Sequence, residues 1–223
     1  GCGHLASFKG TDSLPSLLYA RDYYTRGEDE LIGASIPATE HSVMCMGERE
    51  REIETFRRLI TEVHPQGFVS IVSDTWDYWQ VLTEYTRELK AIIMRRQGRV
   101  VFRPDSGDPI ETPVHVVRQL DYHFGSSLNG KGFKVLHPSV RVLQGDGIST
   151  ADMNQILGRL EGFGFSSENI AFAMGSAILQ KVNRDTYSFA MKANARQDEA
   201  GRWHDLFKRP ATMNVKASKA GRQ

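Results

Sequence analysis

The chain repeats one alternation along its length: a short apolar run, a turn rich in small or polar residues, and then an amphipathic segment. Apolar runs of about four to eight residues predict strands, and apolar residues at every third or fourth position predict helices. The predicted strands are residues 4–10, 32–38, 68–74, 99–105, 140–147, 169–176 and 187–194. Strand, turn and helix in series predict βα units around a largely parallel sheet.

The amphipathic segments lie between these runs, at residues 47–64, 75–96 and 149–163. In the first of them, Ile53, Phe56 and Ile60 fall on one helical face, and charged residues surround the rest. At the start of the last, Ser149 stands where an N-cap is expected, and Asp152 supports the first turn. These segments predict three helices.

The number of units favours an α/β fold of one particular kind. Seven units fit an incomplete TIM-like β/α barrel, and a complete eight-unit barrel takes about 250 residues against the 223 present here. An open doubly wound sheet is the alternative. No G-x-G-x-x-G motif follows the first predicted strand, which disfavours dinucleotide binding. We expect residues 1–223 to form a single, partial barrel-type catalytic domain.

Composition narrows the class of protein. The chain is 40% hydrophobic and 25% charged with a net charge of +1, which disfavours a dedicated nucleic-acid surface. No apolar run approaches the roughly 18 residues that a membrane helix needs. Cys2 and Cys45 form no spacing motif, so we expect a reduced, cytoplasmic protein without a Cys/His metal site. The chain does not begin with Met, and we expect a fragment or a processed chain.

Polar residues collect where the predicted strands end. In barrels and open parallel sheets, ligands bind beyond the carboxyl ends of the strands. A single polar strand end is most often only a turn or a helix cap, but a series of them predicts a common binding edge. The strand ends are Lys9-Gly10-Thr11-Asp12, Glu40-His41-Ser42, Ser73-Asp74, Arg103-Pro104-Asp105-Ser106-Gly107, Gly145-Asp146-Gly147, Gly175-Ser176 and, on the last strand, Lys192.

The residue types at this edge favour a sugar phosphate as the ligand. Glycine turns before helices, at Gly145 and Gly175, let backbone N–H groups and a helix N-terminus approach a phosphate. Arg103, Arg184 and Lys192 can donate charge-assisted hydrogen bonds to phosphate oxygens.

Two acidic residues extend this interpretation. Asp105 and Asp146 can accept hydrogen bonds from vicinal sugar hydroxyls, or help to place Mg²⁺ through water. The turn from Arg103 to Gly107 is the stronger signal, because one short segment combines a cation, an anion, a hydroxyl and a glycine.

Seven segments, taken together and in order, resemble the nicotinate/nicotinamide phosphoribosyltransferase family. The resemblance is closer to the nicotinamide branch at Asp12, where a carboxylate would repel nicotinate and accept a hydrogen bond from a carboxamide. The segments are GTD (10–12), ASIPATEHS (34–42), VSIVSDTWD (69–77), FRPDSGDP (102–109), VLQGDG (142–147), GSAILQKVNRD (175–185) and the basic tail from Lys208 through Arg222.

The resemblance implies a reaction and its participants. Nicotinamide would attack 5-phosphoribosyl 1-pyrophosphate, giving nicotinamide mononucleotide and pyrophosphate, with Mg²⁺ accompanying the pyrophosphate and ATP as a stimulating co-substrate. It also implies a homodimer and a longer chain with an N-terminal part that is absent here, so whether the isolated chain is active stays open. The alternatives are a nicotinate phosphoribosyltransferase, a different phosphate-handling barrel enzyme, and a non-catalytic phosphoribosyl-binding remnant.

The same resemblance implies roles for individual residues. His41 would be the histidine that ATP phosphorylates, Asp12 would face the carboxamide, and Asp105 would complete the catalytic set. No resident metal ligand is implied. At residues 175–176 the chain has Gly-Ser where the family often has two glycines. The implied substrate-binding residues are Ser35, Arg103, Gly145, Asp146, Gly175, Ser176, Arg184 and Lys192.

Overall fold

The computed structural model of the chain describes residues 2–24, 27, 30–145, 147–175, 186 and 193–206. The chain divides into two compact units, Gly1–Leu179 and Gln180–Gln223. The first unit holds a parallel sheet and its helices, and the described part of the second is an antiparallel hairpin. None of the helices in the described ranges is long and apolar enough to cross a membrane.

The sheet of the first unit is parallel, and its strands follow one another in chain order. It has the order β1-β2-β5-β6, with each neighbouring pair parallel. A short antiparallel pair, β3 and β4, separates the second and third of these strands along the chain. The strands are β1 (Gln66–Val72), β2 (Gln97–Arg103), β3 (Ser126–Leu128), β4 (Lys134–Leu136), β5 (Val140–Gln144), β6 (Ile170–Phe172), β7 (Ala195–Gln197) and β8 (Trp203–Asp205).

Two isolated parallel bridges continue this order toward the N-terminus. Ala38 bridges to Ser70 of β1, and Gly10 bridges to Ala34. The predicted strand at residues 32–38 is therefore reduced to single bridges, although it occupies the expected place.

The predicted strand at residues 4–10 is wrong over most of its length. Gly3–Ala6 is a 3-10 helix, and only Gly10 pairs with a neighbouring segment. The reason is local hydrogen bonding: Leu5 N donates to Cys2 O at 2.9 Å and Phe8 N donates to His4 O at 2.9 Å. The backbone N–H groups of Leu5 and Phe8 therefore form hydrogen bonds within the turn and do not pair with a neighbouring strand.

The three predicted helices are confirmed, and three further α-helices, α1, α2 and α6, were not predicted. Residues 47–64 contain α3 and residues 149–163 contain α7, while residues 75–96 contain α4, a π-helical turn at Val81–Tyr85, and α5. A second π-helical turn, Leu59–Val63, continues α3. The helices are α1 (Leu14–Tyr24), α2 (His41–Cys45), α3 (Glu52–Arg58), α4 (Tyr78–Gln80), α5 (Thr86–Arg95), α6 (Glu111–Phe124) and α7 (Thr150–Gly162).

Alternate residues of the strands build the core. Val100 and Phe102 of β2 are buried, as are Val140 and Val142 of β5, and they pack in one cluster with apolar residues of the helices. Burial of each such side chain contributes roughly 1.5–3 kcal/mol to folding. This core fixes the register of the parallel strands, and hence the positions of the residues that follow their carboxyl ends.

The second unit is described at residues 186 and 193–206. Its strands β7 and β8 pair with Gln197 opposite Trp203. The turn between them is organised by Asp198, whose carboxylate accepts from Arg202 N at 2.9 Å and lies 2.8 Å from His204 Nε2. The pKa of Asp198 is lowered, first by the hydrogen bond with His204. The predicted strand at 187–194 lies almost wholly outside the described residues.

Candidate active site

The register of β1 and β2 places two acidic residues side by side. Val72 pairs with Arg103 at the ends of the two strands. Asp74 and Asp105 each follow two residues beyond that pair. Asp105 N donates to Asp74 Oδ2 at 3.2 Å, and the Ser106 hydroxyl donates to the same oxygen. The Asp74 carboxylate therefore connects the turn after β1 to the turn after β2.

His41 lies against these turns. It is the first residue of α2, preceded by Glu40 in an extended conformation. Its Nδ1 is 3.1 Å from Thr75 Oγ1, and its Nε2 is 3.3 Å from Asp105 Oδ2 and 3.8 Å from Asp74 Oδ1. The His41 side chain is 43% exposed, whereas that of Asp74 is 5% exposed. Both ring nitrogens of His41 thus contact protein groups, while part of the side chain remains exposed to solvent.

The positions of the carboxylates define the hydrogen-bonding state of the ring. Both Asp74 and Asp105 lie on the Nε2 side, and a carboxylate only accepts hydrogen bonds. In the neutral ring, Nε2 therefore carries the proton, and Nδ1 accepts from the Thr75 hydroxyl. If the ring gains a positive charge or a phosphoryl group, the same carboxylates balance the positive charge.

Arg103 closes the side of the site next to the segment before α2. Its Nη2 donates to Thr39 O at 3.1 Å and lies 4.0 Å from Glu40 Oε2. The side chain is only 15% exposed. The described residues offer its buried Nε no hydrogen-bond partner within the protein. Arg103 therefore has one buried N–H group without a described protein partner, next to the segment that precedes His41.

The rest of the turn after β2 has a structural function. Asp108 Oδ1 accepts from Ile110 N at 2.9 Å and from Glu111 N at 2.7 Å, at the start of α6. These backbone hydrogen bonds lower the pKa of Asp108. Gly107 has φ +90°, a conformation that L side chains rarely adopt, and a Cβ there would lie 2.7 Å from Thr112 Oγ1. The turn thus has two parts: Asp105 belongs to the site, whereas Gly107 and Asp108 shape the start of α6.

Asp12 and Ser35 form a second polar pair. The bridge between Gly10 and Ala34 brings their segments together, and Thr11 N donates to Ala34 O at 3.0 Å. Just beyond that bridge the Ser35 hydroxyl donates to Asp12 Oδ1. The pair therefore presents a carboxylate and a hydroxyl on adjacent segments.

The glycines after β5 and β6 occupy adjacent strand ends. Gly145 follows β5, and a Cβ there would lie 3.3 Å from the Ala173 Cβ. Ala173 N donates to Gln144 O at 2.9 Å, which continues the pairing past β6. A Cβ at Gly175 would meet no atom of the described residues within 4 Å. A side chain at Gly145 would crowd Ala173 at the adjacent strand end, whereas one at Gly175 would meet none of the described residues.

Four of the predicted substrate-binding residues lie outside the described residues. They are Asp146, Ser176, Arg184 and Lys192. The structure brings together His41, Asp105 and Arg103, and separately pairs Asp12 with Ser35.

The sequence-based selection of site residues omitted Asp74 and Thr75. Both contact His41, and Asp74 is the most buried of the three polar groups around the ring. The signal was present, because a Ser-Asp-Thr end follows a strand that runs parallel to β2. The register between β1 and β2, which one sequence does not specify, is what places Asp74 beside Asp105.

Fold and site together define an α/β protein with a polar site at the carboxyl edge of a parallel sheet. The sequence profile of the nicotinate phosphoribosyltransferase (NAPRTase) family matches residues 2–223. The chain belongs to this family.

Curated relatives give a narrower comparison. The chain is 46% identical over 231 residues to a protein of Acinetobacter baylyi, an alignment that covers 95% of this chain and 45% of the relative. It is 43% identical over 224 residues to a protein of Xanthomonas campestris pv. campestris, covering 100% and 47%. A protein of Mycoplasma pneumoniae is 39% identical over 239 residues, covering 98% and 52%. All three are named nicotinamide phosphoribosyltransferase, and the chain spans about half of their length.

Proposed function

We propose that the protein of which this chain forms a part transfers the phosphoribosyl group of 5-phosphoribosyl 1-pyrophosphate to nicotinamide, giving nicotinamide mononucleotide and pyrophosphate. The observation that carries the proposal is His41, held by Thr75, Asp74 and Asp105 at the carboxyl edge of the sheet. Membership of the family and three relatives named for this activity support it.

Asp12 and Ser35 would select nicotinamide. A carboxamide has two N–H donors, one for the Asp12 carboxylate and one for a lone pair of the Ser35 hydroxyl. Nicotinate would place a second negative charge against Asp12 without a donor between them, which disfavours its binding. The hydrogen bond from Ser35 to Asp12 supports this role, because it holds the carboxylate in one orientation before the ligand arrives.

His41 would be the residue through which ATP acts. In this proposal the γ-phosphoryl group of ATP is transferred to a ring nitrogen of His41 and ADP leaves. Ring nitrogen Nδ1 has the lone pair in the tautomer that the carboxylates favour, and its hydrogen bond from Thr75 would be exchanged for the new bond to phosphorus. Asp74 and Asp105 then balance the charge of the modified ring.

Mg²⁺ would accompany the pyrophosphate. Among the described residues, no cluster of three or more His, Cys, Asp or Glu side chains could hold a metal ion. A Mg²⁺ ion that arrives with a pyrophosphate group is bound mainly by substrate phosphates and by one or two protein carboxylates. Asp105, whose side chain is 35% exposed, is the carboxylate that fits this role.

The remaining predicted residues would hold the ribose and its phosphates. Arg103 has a buried N–H group without a described partner next to the segment before His41, a side chain at Gly175 would meet no described atom, and Gly145 directly follows the neighbouring strand β5. We assign ribose and phosphate contacts to these three residues and, on the family resemblance alone, to Asp146, Ser176, Arg184 and Lys192.

The larger assembly is also a proposal. The chain-order, all-parallel pairing from Gly10 to β6 supports a β/α barrel of which this chain supplies part. Exposed apolar side chains on α1, among them Leu14, Leu18 and Tyr23, support burial of this helix by further protein, and we propose a homodimer. Cys2 and Cys45 are free thiols, which supports a cytoplasmic location.

Product analysis tests the reaction. A chain of the relatives' full length is incubated with phosphoribosyl pyrophosphate, Mg²⁺ and either nicotinamide or nicotinate, with and without ATP, and the nucleotides are separated by chromatography. The proposal expects nicotinamide mononucleotide in large excess and stimulation by ATP. Nicotinate mononucleotide as the main product would favour the alternative transferase.

Calorimetry on the 223-residue chain separates a transferase site from a remnant. Binding of both Mg²⁺–phosphoribosyl pyrophosphate and nicotinamide supports a site that is complete at both substrate positions. Binding of phosphoribosyl pyrophosphate without nicotinamide favours a phosphoribosyl-binding remnant.

A further inference from the structure

The segment that precedes His41 leaves the sheet at Thr39, which is only 5% exposed. Up to this residue the segment pairs with β1 as a regular parallel neighbour: Ser70 N donates to Pro37 O at 2.8 Å, and Thr39 N donates to Ser70 O at 2.9 Å. Hydrogen bonds between parallel strands follow one another at even spacing, so the next donor, Val72 N, would bond to Thr39 O. The regular pattern therefore assigns the Thr39 carbonyl to β1.

The Thr39 hydroxyl takes that hydrogen bond in place of the carbonyl. Val72 N donates to Thr39 Oγ1 at 3.0 Å, in a buried position. Serine and threonine hydroxyls can replace a backbone acceptor in this way, because their oxygen lies within reach of neighbouring N–H groups. The Thr39 carbonyl accepts instead from Arg103 Nη2 at 3.1 Å. Thr39 thus pairs with β1 through its side chain and holds Arg103 through its backbone.

This threonine joins the segment before His41 to the ends of two strands. Val72 and Arg103 are register partners at the ends of β1 and β2, and Thr39 is hydrogen-bonded to both. Each of these three residues stands two positions before a polar residue of the candidate site, namely His41, Asp74 and Asp105. Thr39 is therefore placed to fix the end of one segment against the other two.

Arg103 depends on this contact for its orientation. Its side chain is 15% exposed, and the described residues give it one direct hydrogen bond, the one to Thr39 O. The nearest carboxylate, Glu40 Oε2, lies 4.0 Å from Nη2 on a side chain that is 74% exposed. An exposed ion pair at this distance contributes little. The backbone carbonyl of Thr39 is thus the described group that holds the guanidinium.

We propose that Thr39 is a positioning residue for Arg103: its hydroxyl completes the pairing with β1 and leaves its carbonyl available to hold the guanidinium. Without the hydroxyl, Val72 N would compete for that carbonyl, because a buried backbone N–H group requires an acceptor. The consequence for binding of ribose and phosphate rests on the proposed function. The exchange of hydrogen bonds itself is a property of the protein without substrate.

Three variants separate positioning of Arg103 from a general effect on packing. Thr39→Val keeps the branched shape and removes the hydroxyl, whereas Thr39→Ser keeps the hydroxyl. Thr86→Val is the matched control, because Thr86 is 1% exposed and its hydroxyl also bonds to the backbone, at Leu82 O. Thr86 begins α5 and has no role in the proposed site.

Nuclear magnetic resonance of the arginine side chains tests the proposal without substrate. The ¹⁵Nε–¹Hε signal of Arg103 is identified by its absence from the spectrum of Arg103→Lys. This signal should shift in Thr39→Val and keep its wild-type position in Thr39→Ser and Thr86→Val. An unchanged Arg103 signal in Thr39→Val would overturn the proposal, even if the variant unfolds at a lower temperature, because the hydroxyl would then be structural only.

A measurement on the wild type tests the same exchange if Thr39→Val fails to fold. Scalar couplings across hydrogen bonds connect a donor ¹⁵N to the carbonyl ¹³C that accepts its proton. We expect such a coupling from Thr39 ¹⁵N to the Ser70 carbonyl, which serves as the internal control, and none from Val72 ¹⁵N to the Thr39 carbonyl. A coupling between Val72 and the Thr39 carbonyl would assign that carbonyl to β1 and overturn the proposal.

Substrate affinity gives the second readout. Calorimetry with a chain of the relatives' full length should show that Thr39→Val raises the Kd of Mg²⁺–phosphoribosyl pyrophosphate by about tenfold, because a displaced guanidinium loses charge-assisted hydrogen bonds to phosphate. Thr39→Ser and Thr86→Val should keep the wild-type Kd. Equal affinities for Thr39→Val and the wild type would contradict the proposal. Failure of the proposed function is recognised separately: the wild-type protein would not bind this ligand, while the Arg103 signal would still report on Thr39.

Discussion

His41 Nε2 lies 3.3 Å from Asp105 Oδ2, although 64 residues separate the two in the chain. The contact exists because parallel strands in register end together, which brings the turn after β2 against the helix that His41 begins. Asp74 fixes this arrangement by accepting a hydrogen bond from Asp105 N at 3.2 Å.

Replacing Asp105 by asparagine should reduce ATP-stimulated turnover. The amide keeps the shape of the side chain but loses the charge that balances a positively charged or phosphorylated His41. We expect kcat/KM with ATP to fall by about a hundredfold, within the range for loss of a group that assists proton or charge transfer. Steady-state rates of a full-length chain, with and without ATP, give the measurement.

Asp205→Asn is the control for Asp105→Asn, because Asp205 is an exposed residue of β8 with no role in the proposed site. It should leave both rates unchanged. Equal rates for Asp105→Asn and the wild type would show that Asp105 takes no part in the ATP-dependent step.

Replacing Ser149 by alanine should destabilise the first unit. The Ser149 side chain accepts from Asp152 N at 3.3 Å, and Asp152 Oδ2 accepts in return from Ser149 N at 2.7 Å. Loss of such a capping box costs about 1 kcal/mol of the free energy of unfolding. Urea titration followed by circular dichroism measures it. Ser127→Ala, at an exposed position of β3, should change the midpoint little, and equal midpoints for both variants would count against the cap.

Replacing Gly107 by alanine should destabilise the turn after β2. The residue has φ +90°, and the new Cβ would lie 2.7 Å from Thr112 Oγ1. Both effects are unfavourable, and we expect a loss of about 1–3 kcal/mol in the free energy of unfolding. Gly130→Ala is the matched control, since a Cβ there meets no atom within 4 Å. A thermal midpoint for Gly107→Ala as high as that of Gly130→Ala would contradict the described backbone.

The pH dependence of stability should identify Glu52. Its pKa is raised by burial above the ordinary value of 4.5, so the folded state holds this proton more tightly than the unfolded state. The free energy of unfolding should therefore fall as the pH rises from about 4.5 through the folded-state pKa, and stay constant above it. The surrounding groups are Tyr85, Arg49, Asp77 and Asp74.

Glu52→Gln removes this titration. The stability of the variant relative to the wild type should increase with pH across that window and then level off, with a difference of about 1.4 kcal/mol for each unit by which the pKa is raised. Urea titrations at a series of pH values measure the difference. Glu54→Gln should follow the wild-type curve, and a constant offset between Glu52→Gln and the wild type would contradict the raised pKa.

The parallel sheet could be predicted because its signals are local. The buried runs at residues 68–74 and 99–105 are β-branched and bounded by turns, and both became strands within two residues of the predicted limits. Residues 4–10 show the weakness of the same approach, since a short apolar run can satisfy its backbone in a 3-10 turn. The helix α6 was missed, although Asp108 gives its N-terminal signal in the same turn that was assigned to the site.

The sequence predicted which types of residue form the site, but it predicted only part of how these residues are placed relative to one another. His41, Asp105 and Arg103 were selected because polar residues at strand ends tend to meet, and the structure brings them together. Asp74 and Thr75 were not selected, because their importance depends on the register between β1 and β2, a non-local property that one sequence does not specify. The same limit applies within the turn after β2. Only the structure shows that the Asp108 carboxylate accepts from backbone N–H groups at the start of α6, whereas the Asp105 carboxylate contacts His41.

The central claim is that Mg²⁺–phosphoribosyl pyrophosphate binds at the carboxyl edge of the sheet next to His41, and ring ¹⁵N shifts of the histidines test it most directly. We predict that titrating this ligand into the chain shifts the His41 ring signals in a saturable way, while His137, which accepts from Ser139 N just before β5 begins, stays unchanged. Saturable binding that leaves the His41 signals in place would contradict the claim.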